Sequence, residues 1–403
     1  MDTLIFEQIV LLAAIGAIVG IVARRLRLPY MPGLVIAGIV IGFLPWQVSV
    51  PFNKDLLFDV LLPPLIFEAG LNIKWRELRR DLRVVGIFAV AGVMISALVT
   101  AALMHVAGGW VWPAAILFGV LIAATDPVSI IATFKDANVV GRLRLLVEAE
   151  SLFNDSTAAV GFAVALAFAT GESPGLGSAI WQLALTAAGG GIFGLLIAVI
   201  ALLVIGRAED ELAELALTTL AAFGSFWAAE HFGFSGILAT TAAGLVIGNR
   251  VGGKAKVERS EAAMLHFWEF AAYLANAIIF ILLGIALANQ NFGSSLLIVA
   301  FAIVAVLAGR ALAVYPLSAI FSRSSQRVPV ASQHTLFWGG LRGALALALA
   351  LAVPESLPYR QEILMATFGV VAFSVFAQGT TVTLVMRNLG ELPTKNSKRR
   401  GRV

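Results

Sequence analysis

The chain has 403 residues, 60% of them hydrophobic and 13% charged, where ordinary soluble domains carry roughly 45–50% and about 25%. That much apolar surface cannot be buried inside one globule of this length, so it needs lipid as its solvent. A net charge of +4 spread over short basic clusters argues against a nucleic-acid partner, and the absence of cysteine excludes a disulfide framework and thiol chemistry.

Taken in chain order, Met1 to Val22 has no basic leader and no small-residue cleavage site, so it reads as a retained first span. Apolar stretches then recur to the end. About thirteen are long enough to be spans, at residues 4–22, 32–48, 55–72, 83–105, 113–134, 143–169, 178–205, 212–230, 234–248, 262–288, 294–320, 332–353 and 361–386. Helix is the expected form throughout, because lipid offers backbone groups no outside partner. The expected fold is therefore all-α and polytopic, one transmembrane domain over residues 1–403 ending in a short basic tail at 389–403.

The basic residues set an orientation. Alternate gaps hold Arg24, Arg25 and Arg27; Lys74 to Arg83; Lys135 to Arg144; Arg207; Arg250 to Arg259; and Arg323 and Arg327, with the run Lys395 to Arg402 after the last span. The opposite gaps hold only Lys54 and Arg360. The positive-inside rule places the C-terminus in the cytoplasm and the N-terminus outside. The tail reads as an anchor to anionic lipid. Two six-span halves around one central span have opposite orientation, as inverted repeats require. The fifth span of each half carries a helix breaker: Ala124-Thr125-Asp126-Pro127 in the first, Trp338-Gly339-Gly340-Leu341-Arg342-Gly343 in the second. Breakers at matching places mark a midplane binding site.

Charges inside spans are costly, and each invites a functional reading. The candidates are Glu68, Asp126, Glu150, Asp155, Arg310 and Arg342. Pro127 removes a backbone donor and crowds the preceding turn, so the fifth span should break at Asp126. The break frees carbonyls, that of Thr125 among them, beside a carboxylate. A hard cation takes such oxygens in place of its water. In Glu150-Ser151-Leu152-Phe153-Asn154-Asp155, four-residue spacing puts Glu150 with Asn154 and Ser151 with Asp155 on adjoining helical faces. Arg310 has no acid near it in sequence and needs a carboxylate from another helix, for which Glu150 is the candidate. Arg342 either neutralises half-helix carbonyls or pairs with an acid. Gly233-Phe234-Ser235-Gly236 matches the nucleophile motif of an intramembrane protease, but no histidine is placed to serve as its base, and close helix approach explains the glycines. There is no phosphate-binding GxxxxGK[ST] loop and no His/Cys cluster, so no nucleotide-driven step and no transition-metal cofactor is expected.

Thr125-Asp126-Pro127, Glu150 to Asp155, Phe67-Glu68-Ala69-Gly70-Leu71 and Gly339 to Gly343 resemble the motif set of cation:proton antiporter family 1, which contains NhaP-type antiporters and animal sodium/proton exchangers. The resemblance runs from the first span to the last. It implies a homodimer of thirteen-helix protomers in the plasma membrane, with a six-helix ion-binding core bundle moving against a dimerisation bundle and unwound helices five and twelve crossing near the midplane. It implies Na+ or Li+, alternating with a proton, at Asp155, Asp126, Ser151 and the Thr125 carbonyl. Glu68 and Asn154 would support that site, and Glu150 would pair with Arg310. The Asn154-Asp155 pair is similar to the branch that exchanges one cation for one proton. Ser156 stands where the family often has glycine. K+/H+ exchange and, more remotely, a cation channel are the alternatives; a carrier couples flux to counter-flux and a channel does not. The expected partners are monovalent cations, protons and lipid, with no enzymatic activity.

Overall fold

The computed structural model describes residues 3–26, 29–44, 50, 52–128, 130–131, 134, 139, 141–171, 175–205, 211–250, 255–290 and 296–392. The tail beyond 392, and the basic residues Arg27, Lys135, Arg207 and Lys254, lie outside them. Among the described residues there is no strand, only one isolated antiparallel bridge between Asp126 and Leu341. The expected all-helical class is what the described residues adopt.

The helices are α1 (Thr3–Leu26), α2 (Tyr30–Phe43), α3 (Leu62–Asn72), α4 (Trp75–Ile87), α5 (Val93–Val106), α6 (Trp112–Leu121), α7 (Arg142–Ala169), α8 (Leu176–Ile205), α9 (Glu211–His231), α10 (Gly236–Arg250), α11 (Ala255–Ala288), α12 (Leu296–Ile320), α13 (Val330–Trp338), α14 (Ala344–Leu351), α15 (Arg360–Phe373) and α16 (Gly379–Asn388). Wider π-helical turns, Leu56–Leu61, Phe88–Gly92 and Ser374–Gln378, lead into α3, join α4 to α5 and join α15 to α16. Proline opens α6 at the first turn, where its missing N–H has no helical partner to lose, and Pro63-Pro64 follow directly on the π turn that leads into α3.

Among the described residues seven helical stretches are long and apolar enough to cross a membrane: Trp75–Val106, Arg142–Ala169, Trp181–Ile205, Glu211–His231, Ala262–Ala288, Leu296–Ile320 and Arg360–Asn388. Four shorter apolar helices accompany them. The protein is a multi-pass membrane protein. Large apolar side chains face outward, Leu220 and Leu297 being 67% and 86% exposed, which only a lipid surround makes tolerable.

The helices pack in two groups. In one, α11 runs along α2 and touches α1 and α3, while α10 packs on α3, α8 and α9. The α2–α11 contact is close enough that a Cβ on Gly38 would strike the Ile281 carbonyl, and one on Gly284 that of Val35. Small residues let membrane helices approach this way, where packing rather than water drives association. In the other group, α12 packs on α5 and α15, α6 on α5 and α7, and α7 on α4. At the basic end of this group one guanidinium ties three segments together. Arg142 donates to Asp81 (Nε, 2.9 Å) and to the carbonyls of Arg327 (2.6 Å) and Gln326 (2.7 Å), and Gln326 in turn donates to the Arg80 carbonyl.

The protease-like Ser235 is a helix cap. Its Oγ accepts the Leu238 N–H at 3.2 Å, and Glu230 accepts the Gly236 N–H at 2.8 Å, together satisfying two of the orphan donors that open α10.

Candidate functional site

The site is built from two interruptions that face each other. Helix α6 stops at Leu121, several residues before Pro127, so the break is longer than the proline alone predicts. Ala123 N–H reaches back to Val120 O (3.1 Å) in a tightened last turn. The carbonyls of Ala123 and Ala124 are then left over, and Arg342 Nη1 donates to both (2.8 and 3.0 Å). Asp126 N–H donates to Leu341 O (2.8 Å), the single rung that joins the two breaks. After Pro127 a helical turn resumes, with Ile131 N–H on Pro127 O (2.8 Å).

The second break runs from Gly339 to Gly343, between α13 and α14. Here glycine is needed for space. A Cβ on Gly340 would press on the Arg310 guanidinium, and one on Gly343 would overlap the Asp126 carboxylate. That carboxylate accepts the N–H of Val128 (2.9 Å) and of Ala344, so it caps two helix starts at once. The arrangement is a charge exchange between breaks. Arg342, from the second, sits at the carbonyl end of α6; Asp126, from the first, sits at the amide end of α14. Each charge opposes the partial charge of the helix end it meets.

Helix α7 supplies the remaining groups. Glu150 is 3% exposed and Asn154 fully buried. Arg310, from α12, grips Glu150 with both nitrogens, Nη1 to Oε1 at 2.6 Å and Nη2 to Oε2 at 2.9 Å, and its Nη2 also donates to Leu336 O (2.9 Å). Such a fork-on-fork pair satisfies both ions in place. Asn154 accepts the Thr125 N–H (3.2 Å) and donates to Thr125 Oγ1 (2.6 Å); Ser151 Oγ lies 3.0 Å from the same hydroxyl. Asn154 and Ser151 together lock Thr125 and thereby aim the break. Asp155 differs: among the described residues no hydrogen bond or ion pair reaches its carboxylate, whose charged neighbours are Asp126, Glu150 and Arg342.

A cavity of about 820 Å³ opens onto this arrangement. Thr125, Asp126, Asp155 and Glu68 line it. Glu150, Ser151, Asn154, Arg310 and Arg342 do not, and stand behind the wall or within the breaks. Glu68 accepts the Asn72 amide at 2.7 Å, one turn along α3. Arg25, Asn72, Arg144 and Glu148 carry the lining out to helix ends on the arginine-rich side.

The profile of the family described as "Sodium/hydrogen exchanger, transmembrane" matches residues 10–388. The chain belongs to this family. It is 35% identical to the Na(+)/H(+) antiporter ApNhaP of Aphanothece halophytica over 93% of this chain and 72% of that protein. It is 34% identical to the Na(+)/H(+) antiporter NhaS2 of Synechocystis over 96% and 71%. Its fold is similar to that of the sodium proton antiporter MjNhaP1 from Methanocaldococcus jannaschii, with TM-score 0.75 at 22% identity over 96% of this chain and 98% of that one. The family is one of transporters, not enzymes.

Within the exchanger fold, the cavity also enlists residues the sequence reading passed over: Tyr30, Asn72, Tyr273 and Asn276. Only Asn72 carried a signal, its four-residue spacing from Glu68 on one helix. The others come from α2 and α11, whose place opposite α7 no local pattern announces.

Proposed function

We propose that the protein is a secondary antiporter that exchanges Na+, or Li+, for H+ one for one, by alternating access to a single site at Asp155 and Asp126. One observation carries this reading. Of the acids on α7, Glu150 is neutralised by Arg310 while Asp155 faces the cavity with no partner among the described residues.

Charge counting supports the stoichiometry. Glu150 and Arg310 cancel. With Glu68 set apart on α3, where it accepts the Asn72 amide, Asp155 and Asp126 against Arg342 leave one negative charge at the crossing of the breaks, which one monovalent cation or one proton neutralises. The cation binds the two carboxylates and the Thr125 carbonyl, with Ser151 turning its hydroxyl inward; Asn154 and Glu68 hold the ligands in place. Neutralised, the site passes through the apolar barrier as the core bundle shifts. Empty and charged it does not, because a bare carboxylate in hydrocarbon is too costly. Exchange follows from that prohibition.

The remaining elements of the reading are thirteen spans in two inverted six-helix repeats, with the two breaks crossing near the midplane. The C-terminus is cytoplasmic, the N-terminus external, the membrane the plasma membrane. The arginine-rich mouth of the cavity then faces the cytoplasm. The group of α5, α6, α7, α12 and α14 is the moving core, and the group of α2, α8, α10 and α11 forms the homodimer contact. Ion and pH homeostasis is the role that suits such a carrier.

The test is purified protein in liposomes with an acidic interior, internal pH read by a dye, and Na+, Li+ or K+ added outside with the membrane potential clamped or free. Alkalinisation by Na+ that ignores the clamp is the expected result. Clamp-sensitive exchange removes the one-for-one ratio, and no proton movement with any ion removes the antiporter reading. Because proton and cation compete, each unit of acidification should raise the half-saturating Na+ by up to about tenfold.

A further inference from the structure

The carboxylates and the two breaks make one wall of the cavity. The opposite wall belongs to α11, where Glu269, Ala272, Tyr273 and Asn276 recur at three- and four-residue spacing and all line the space. Exposure falls along the polar members of this stripe: Glu269 is exposed, Tyr273 half-buried, and Asn276 only 3% exposed. The Tyr273 hydroxyl is in use, donating to the Gly16 carbonyl at 2.9 Å. The Asn276 amide oxygen is not: Oδ1 is closed off and has no hydrogen-bond partner among the described residues, so turning the amide to present it to the cavity that Asn276 lines breaks no hydrogen bond of that oxygen. Native folds rarely leave such an oxygen bare without a reason. Directly beyond it, Ala277 to Leu283 are all apolar and buried. Asn276 is thus the last polar side chain on α11 before a dry seal.

We infer that Asn276 supplies a neutral oxygen ligand to the transported cation while the cation occupies the open cavity. The inference rests on the exchange reading above and adds a ligand to it. An amide oxygen suits a hard monovalent cation and carries no charge, so the one-for-one balance is untouched. It does nothing comparable for a proton already on a carboxylate, so it favours the cation in their competition. Position adds a direction. Asn276 rides on α11, packed against α1, α2 and α3, whereas Asp155 rides on α7 in the other group. A shift between the groups parts them. The ligand therefore acts only on the side to which the cavity is open, and it makes the two faces of the carrier unequal in cation affinity.

The experiment measures Na+-dependent exchange in proteoliposomes of defined orientation, with Na+ varied on either side, for wild type, Asn276→Ala, Asn276→Leu and Asn276→Ser. Loss of the oxygen in the alanine and leucine variants should raise the half-saturating Na+ roughly tenfold on the cavity side alone. The opposite side and the maximal rate should stay within about twofold, and serine, which keeps an oxygen, should recover much of the loss. Folded variants that match wild type on both sides overturn the inference, as does an equal rise on both sides. If alanine prevents folding, leucine, close to asparagine in shape, decides alone. Absence of exchange in wild type removes the exchange reading itself; wild-type exchange with unchanged variants removes only the role of Asn276.

Discussion

Glu150 and Asp155 stand on the same helix, little more than a turn apart, yet the fold neutralises one and leaves the other without a partner among the described residues. Arg310 reaches Glu150 from α12 with two hydrogen bonds, one of 2.6 Å and one of 2.9 Å. Asp155 looks into the cavity, where its charged neighbours include a second carboxylate, Asp126. The difference separates structural charge from transport charge. A buried acid with a permanent partner cannot change its charge during a cycle without loss of stability. An acid at a water-accessible wall, with no counter-charge bonded to it, can take a cation or a proton and release it.

Exchanging those circumstances should break the comparison. The largest expected effect is that of Asp155→Asn, which removes the carrier charge. Exchange in proteoliposomes should fall to the level of empty vesicles while the thermal unfolding of the protein is retained. Exchange at the normal rate would assign the carrier elsewhere. Next is Arg310→Ala, which leaves Glu150 charged and alone in the interior and should destabilise the protein by about 3–5 kcal/mol, read as a fall in Tm. Pairing it with Glu150→Leu should recover most of that stability, since two apolar groups can replace a buried ion pair at little cost. Renewed exchange in the double variant would sharpen the view that the pair is structural; dead but stable protein would make it part of the cycle.

Smaller effects follow. Gly343→Ala forces a Cβ against the Asp126 carboxylate and should cost about 1–3 kcal/mol through overpacking, with a weaker apparent affinity for Na+. The smallest is Ser156→Gly. Ser156 Oγ donates to the Leu152 carbonyl of its own helix at 3.3 Å and touches none of the ion-site groups by hydrogen bond. Its removal should cost about 1 kcal/mol or less, the ordinary glycine penalty in a helix, and leave ion ranking unchanged. A change in the Na+ to Li+ preference would show that this serine tunes the site.

Much of the fold could be read from local pattern. The apolar stretches that recur through the chain carry their own helical instruction, since lipid leaves the backbone no alternative. The two non-helical segments of the site carry local signals, Pro127 in one and three glycines in the other. What could not be read was the extent of the first break. Helix α6 ends at Leu121 because its leftover carbonyls meet Arg342, a residue more than two hundred positions away. Likewise, nothing local distinguished Ser151 and Asn154 from Asp155. All three lie in one polar sector, yet the first two are committed to Thr125 and only the third lines the cavity. Asn276 gave no signal, because an isolated amide in an apolar helix has no meaning until the facing wall is known.

The sequence by itself determined the membrane as solvent, the helical class, the basic side of the chain and the short list of intramembrane charges. Those follow from side-chain hydration and backbone satisfaction, which act residue by residue. Tertiary structure alone decided which charge cancels which, that Arg342 and Asp126 each cap the helix end left by the other's break, and which acid faces the cavity. Those depend on distances between segments remote in the chain, and electrostatic energy in a medium of low dielectric is settled by such distances.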